Sequence, residues 1–340
     1  MTAYDNIITT ADTVEALNQE FIANFRGEYD RFEEILGLFP VETRKAGSAL
    51  YQYAVSGALN DGEFAATSDQ ALVEGKTYYT RSGSAGAYVY TAVASPKVAN
   101  IASYYELTAA SGKHYVEGDF IARSKYTLTK SPVGEIEFAP YAKQTTAQAI
   151  LKGGFENAVL RTDRKMQQQV RAAILADFFA FLANGTGTAT GVGLQAALAM
   201  ADAALGDSME TNGDEPGAIV HFVNRQDAAA YLGSANITTQ TAFGLTYLES
   251  FLGVENVLLT NKVASGNLVA TPVENIHVYG IDFAELGDAG LSYASDSLGL
   301  IGVHHAADYD YASAETYVVR GATFMPEITD YIVKGTVTNS

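Results

Sequence analysis

The sequence predicts an α+β fold: one long helix, a compact α/β segment after it, and a small β module inserted ahead of it. Three observations carry that prediction. Apolar side chains step by four through residues 142–183, the spacing of one helix face. Short strand and helix patterns alternate after residue 190, which reads as a compact α/β domain. Seven of the chain's 21 tyrosines fall within residues 74–115, in short runs separated by Gly, Ser and Pro.

Residues 1–46 read as an acidic, partly helical arm. Val14, Leu17, Phe21 and Phe25 recur at helical spacing, with Asp12 or Thr13 as the expected cap. A second apolar cluster, Phe32, Ile35, Leu36 and Phe39, ends at Pro40. The arm has too few apolar residues to form a core alone. From Ser48 to Phe138 the pattern turns to β. Residues 50–55 alternate, and so does Phe120–Leu128. Between them lie expected strands at Thr77–Thr80, Tyr88–Val93 and Ile101–Leu107, with the pairs Glu74-Gly75 and Glu117-Gly118 as the two ends of an insertion.

Residues 142–183 read as one continuous helix. Leu151, Phe155 and Val159, then Met166, Val170, Ile174, Phe178 and Leu182, form its apolar side. At 1.5 Å per residue such a rod spans roughly 60 Å, and Gly153-Gly154 is where it would kink. Arg161, Arg164, Lys165, Gln168 and Arg171 fall opposite the apolar side, as a basic stripe on an acidic protein. Beyond Asn184-Gly185, residues 191–205, Arg225–Leu232 and Leu245–Leu252 read as helices. Ala218–Val223, Val257–Thr260 and Ile276–Gly280 read as strands. After Ser297 three further strands, GLIGV, ETYVVRG and DYIVKGTV, join a sheet that includes earlier chain.

Composition excludes several classes of chemistry. The 340 residues carry 21 Lys+Arg against 39 Asp+Glu, a formal net charge of -18, which opposes any partner bound by phosphate neutralisation. With no cysteine, thiol catalysis, zinc–thiolate sites and disulfides are excluded. No apolar run reaches the ~20 residues of a membrane span, and MTAYDNIITT lacks the basic and apolar regions of a secretory signal. Gly185–Gly193, GTGTATGVG, precedes a helix but lacks the spacing of a phosphate loop and reads as a flexible turn. His304 and His305 with Asp308 and Asp310 resemble a loose metal cluster, yet adjacent strand residues point to opposite faces. His221 lies in the apolar run AIVHFV and reads as a satisfied core residue. His114 and His277 are isolated, and no G-x-S-x-G is present. No cofactor, metal site or catalytic set is expected, and the chain is not read as an enzyme.

The order of elements resembles the major capsid protein of tailed bacteriophages, the Hong Kong 97-like fold. SGALNDGEFAA, the "EG…Y" stretch from Glu74, AQAILKGGFENAVLRTDRKMQQQVRAAILADFFAFL and DSLGLIGVHHAADYDYASAETYVVRGATFMPEITDYIVKG carry the resemblance. It implies an N-terminal arm at 1–55 and an extended E-loop at 56–141 containing the 74–115 β insertion. It further implies a peripheral domain of spine helix and sheet at 142–185 and 296–340, and an axial domain at 186–295. The implied function is a structural subunit that self-assembles through pentamers and hexamers into an icosahedral head shell enclosing phage DNA. The subunit would reside in the virion, and in the host cytoplasm during assembly. Its implied partners are copies of itself, a scaffolding protein, a portal, decoration proteins and packaged DNA held non-specifically, with no membrane. Tyr78, Tyr79, Tyr88, Tyr90, Tyr104 and Tyr105 are the expected inter-subunit contacts. Arg161, Arg164, Lys165 and Arg171 are the expected inner-face stripe. Two alternatives stay open: a non-viral nanocompartment shell of the same fold, and a carbohydrate- or receptor-binding module carried by 74–115.

Overall fold

Apolar spacing places the first helices of the computed structural model, which describes residues 11–25, 31–56, 63–67, 72–83, 88–97, 103–108, 126–215, 217–234, 254, 256–288 and 290–338. Helix α1 (Ala11–Phe25) buries Leu17, Phe21 and Phe25, one turn apart. It begins upstream of the expected cap at Asp12 or Thr13. Helix α2 (Arg31–Leu36) buries Phe32, Ile35 and Leu36 and stops before Pro40. The chain separates into two compact units, residues 1–51 with 132–340, and residues 52–131.

The smaller unit is β throughout its described residues. A four-stranded antiparallel sheet has the order β3 (Glu63–Ala66), β6 (Tyr104–Thr108), β4 (Tyr78–Ser82), β5 (Val89–Ala92). The three strands expected in the tyrosine-rich module are therefore present, and β3 adds a fourth. Strand β2 (Ala49–Ser56) pairs with β7 (Thr127–Glu135) as a two-stranded ribbon, of which 52–56 and 127–131 belong to this unit and the rest to the larger one. The expected Phe120–Leu128 strand lies mostly outside the described residues, as do Glu117-Gly118, Tyr115 and the Leu245–Leu252 helix.

In the larger unit the expected rod is corrected. Residues 139–146 form a strand, β8 (Ala139–Thr146), because β16 (Ser313–Arg320) offers it a full antiparallel ladder, Ala139 to Thr146 against Arg320 to Ser313. The helix starts only after Thr146, whose hydroxyl accepts from the Ala149 amide at 3.3 Å as an N-cap. Helix α3 (Ala147–Gly153) then ends at Gly154, whose φ of 77° few side chains tolerate. A π-helical turn at Glu156–Leu160 leads into α4 (Arg161–Leu182). At ~1.5 Å per residue, α4 is about 33 Å long, roughly half of the expected rod.

Three sheets complete this unit. Strand β8 is the edge of the antiparallel set β14 (Ala294–Ser295), β15 (Ile301–Asp308), β16, β8. A three-stranded sheet has β1 (Val41–Arg44) parallel to β13 (Ile276–Ile281), and β13 antiparallel to β17 (Thr323–Pro326). The third sheet has the order β11 (Val257–Thr260), β10 (Ile219–Asn224), β12 (Asn267–Pro272), β18 (Val333–Thr338), β9 (Gly187–Val192). Helix α5 (Leu194–Asn212) packs on that sheet through Ala197, Leu198, Ala201 and Leu205. Helix α6 (Arg225–Ser234) adds Ala228 to the same cluster, and α7 (Phe283–Asp288) follows β13. Strand β18 was expected with 296–340 beside the long helix. Its interior place between β12 and β9 puts it in the α/β sheet instead.

One apolar cluster joins α1, α2, α4 and strands of all three sheets. Phe178 lies at its centre, with ring centroids 5.3 Å from Phe39, 5.4 Å from Phe179, 5.8 Å from Phe222 and 5.2 Å from Phe324. Such edge and tilted contacts add to the area buried. Replacing Phe178 by Ala is expected to cost about 3–5 kcal/mol, read as a lower urea midpoint at unchanged slope. Leu151→Ala, at a side chain 87% exposed, is expected to leave the midpoint in place.

Candidate functional site

Helix α4 presents a buried side and an exposed one, with distinct chemistries. On its core side, Asp163 and Gln167 interrupt the apolar run of Val159 and Val170, and both are buried. Asp163 accepts from Lys143 of β8, from Thr316 Oγ1 of β16 at 3.0 Å, and pairs with His305 Nε2 of β15 at 3.3 Å. His305 reaches on to Asn18 of α1, its Nδ1 2.7 Å from Asn18 Oδ1, which also accepts from the His305 amide at 3.0 Å. Burial pushes the Asp163 carboxyl up, but the His305 hydrogen bond and the Lys143 ammonium outweigh it and hold it below the usual range. For Lys143 burial wins over the Asp163 charge, so its ammonium is held below the ordinary lysine value.

The same side of α4 fastens the end of α1. Gln167 Nε2 donates to the Phe21 carbonyl at 3.0 Å, and Arg171 donates to the carbonyls of Asn24 and Phe25 at 3.1 and 2.6 Å. The carbonyls of Asn24 and Phe25 lie in the last turn of α1, where a cation is favourable. Arg171 therefore leaves the expected basic stripe. It is buried beneath the end of α1, which covers it. Arg161, Arg164 and Lys165 remain on the exposed face.

The tyrosines divide by the strand pleat. Tyr78 and Tyr104 were expected at subunit contacts. Both are instead the buried core of their own sheet, their rings 6.1 Å apart. Each hydroxyl accepts from a covering loop, Tyr78 from the Val73 amide and Tyr104 from the Lys97 amide, both at 2.9 Å. Tyr79, Tyr88, Tyr90 and Tyr105 are partly exposed. The Arg81 guanidinium carbon lies 4.2 Å from the Tyr88 ring and 4.6 Å from the Tyr105 ring. The β2–β7 ribbon carries the widest apolar exposure: Tyr53 54%, Val55 68%, Leu128 62% and Val133 49%.

The remaining sequence candidates have structural explanations. Gly185, Gly187 and Gly191 lie where added Cβ atoms would meet Ile332, Asp330 and Ala197 within 2.3–2.7 Å, so GTGTATGVG is close-packed chain rather than a loose turn. His221 is buried with Nε2 2.6 Å from Asp202 Oδ1. His304 and His305 alternate across β15, and Asp308 accepts from the Asp310 and Tyr311 amides in the turn that follows. Among the described residues, no three His, Asp or Glu side chains group to hold a metal ion, and no helix is long and apolar enough to cross a membrane. His114 lies outside the described residues.

No family model and no curated protein sequence matches the chain. Solved structures do. The virus-like particle from Pyrococcus furiosus is similar over 95% of this chain and 99% of that one, at 9% identity and a TM-score of 0.44. The capsid of cyanophage P-SCSP1u covers 89% and 87%, at 8% identity and 0.49. The capsid of a native GTA particle covers 92% and 93%, at 9% identity and 0.48.

The buried network fixes an acid response. Because the folded Asp163 value lies below the ordinary ~3.9, its stabilisation is complete above the unfolded value and is lost as pH falls through the folded one. Lys143 gives a slope of the same sign in a more alkaline window: its burial cost is present at neutral pH and fades as pH rises through its lowered value. Asp163→Asn strands the Lys143 ammonium without a counter-charge and is expected to cost about 3–5 kcal/mol at neutral pH. Urea unfolding from pH 7 to pH 3 should show this deficit shrinking toward the acid end. Arg171→Met keeps the aliphatic stem but removes the bonds to α1. Hydrogen exchange should then quicken in 18–25 before it does in α4.

Proposed function

We propose that the chain is the structural subunit of an icosahedral head shell of the tailed-phage type, with the Hong Kong 97-like capsid fold, assembling through pentamers and hexamers around packaged DNA. The observation that carries this reading is the β2–β7 ribbon. A two-stranded ribbon is marginal in water, and every residue of Thr127–Glu135 is exposed. Exposed Tyr53, Val55, Leu128 and Val133 are costly on a lone molecule and useful on one that is covered by neighbours. Neighbouring copies of the chain supply that cover, at the ~800 Å² per partner typical of stable contacts.

In this reading residues 1–55 are the arm and 56–141 the E-loop, with 74–115 as an insertion that braces adjacent subunits through Tyr79, Tyr88, Tyr90 and Tyr105. Residues 142–185 and the strands from 296 to 326 form the peripheral part. Residues 186–295 with β18 form the axial part. Arg161, Arg164 and Lys165 turn to the shell interior and meet an acidic scaffolding protein or DNA phosphate non-specifically. What supports this is their exposure, with no carboxylate in ion-pair reach among the described residues. The role is structural rather than enzymatic, and its place is the virion.

The combined change Tyr53→Asp, Val55→Asp and Leu128→Asp tests the ribbon. Circular dichroism should be unchanged, while negative-stain images should lose closed particles. Particles of unchanged number and thermal stability would overturn the reading. The change Arg161→Gln, Arg164→Gln and Lys165→Gln is expected to keep the fold and lower either particle yield or packaged DNA, measured by sedimentation and absorbance ratio. A particle structure with these side chains on the outer surface would sink the interior assignment.

A further inference from the structure

Strand β8 ends its sheet, and beside it runs a groove of about 460 Å³ bounded on the other side by α4. Consecutive residues Tyr141, Ala142 and Lys143 all line it, so the groove follows the strand's edge rather than one face alone. Among the described residues β16 is the ladder partner of β8, and no backbone hydrogen bond from elsewhere reaches 141–145. Pro140, second in β8, is in keeping with an edge strand.

The groove's charge runs against the rest of the molecule. Its lining holds two lysines and no carboxylate, on a chain with 39 acidic and 21 basic residues. Lys143 turns toward Asp163 behind the groove, whereas Lys165 stands exposed at the rim. The α4 side is mixed: Met166, Val170 and Ala173 form an apolar strip, flanked by the polar Thr162 and Gln169. An open strand edge beside an apolar strip on a helix is the arrangement that strand addition uses: main-chain hydrogen bonds give affinity and alternate side chains give specificity.

We infer that this groove binds an extended peptide segment of another protein, which adds to β8 as a fifth strand. Its chemistry is set by the lining: apolar side chains turned to Met166 and Val170, and carboxylates within reach of the flexible Lys165 ammonium. The inference does not rest on the shell reading, because it concerns the unassembled chain.

The probe is a fluorescein-labelled, end-capped peptide of alternating Val and Glu, seven residues long, titrated into the full chain at low salt. Fluorescence anisotropy is expected to show saturable binding, and hydrogen exchange to show new protection at 141–146. Lys165→Glu, an exposed change, should weaken binding roughly tenfold or more, the effect of about 1.4 kcal/mol. The same peptide N-methylated at alternate residues should not bind, since it cannot complete a ladder. No saturable binding, binding unchanged by Lys165→Glu, or equal binding of the N-methylated peptide would each overturn the inference. Protection of 141–146 that grows with protein concentration in the absence of peptide would mean that a second copy fills the edge, and would overturn it too.

Discussion

The carboxylate of Asp163 is the point on which the larger unit depends. It is reached by Lys143, His305 and Thr316 from three strands, and through His305 by Asn18 of the first helix. Segments separated by more than a hundred residues thus converge on one buried charge. A charge taken out of water is expensive and is tolerated only when its partners are in place. The arrangement therefore penalises any packing in which α1, α4 or the β8–β16–β15 ladder is shifted by a turn. Apolar contacts around Phe178 supply cohesion but little register, since a phenyl ring accepts many neighbours. The polar seam supplies the register.

The same seam explains why α1 belongs to the core despite its modest apolar content. Leu17, Phe21 and Phe25 bury one face, and carbonyls toward the helix's end are met from outside by Gln167 and Arg171. A short helix with unsatisfied carbonyls would be marginal by itself. Here the neighbouring helix completes it, at the expense of a cation that would otherwise be in solvent.

Periodicity made α1, α2, the strands of the tyrosine module and most of the α/β elements legible in the sequence, because each has a face that repeats at 3.6 or 2. It failed at β8. Residues 142–146 flank a true helix and contain nothing that breaks one, so only the ladder with β16 decides them. It also failed at the placement of β18, since strand order is a long-range property that local pattern does not encode. For the candidate surfaces, alternation within YY pairs already separates Tyr78 from Tyr79 and Tyr104 from Tyr105. Which side would be covered depends on loops 72–77 and 93–97. Arg171 was misplaced because a helical wheel shows the bearing of a residue and not what rests on it. One signal was available and unused: Asp163 and Gln167 share a face with Val159 and Val170, and polar residues inside an apolar stripe mark a buried network.

The pairing of Gly187 with Val333 has a consequence for how the molecule is made. Strand β18 lies in the interior of its sheet, between β12 and β9, yet it is synthesised after all of them. Until it emerges, β9 has no partner among the described strands, and α5 packs on an unfinished surface. Closing so long a loop is entropically slow. A nascent chain therefore waits, with apolar residues of β12 and α5 uncovered, and this interval is when aggregation competes with folding. Because a strand made after all its neighbours joins β9 to the rest of the sheet, the order of synthesis itself delays the moment at which this sheet is complete.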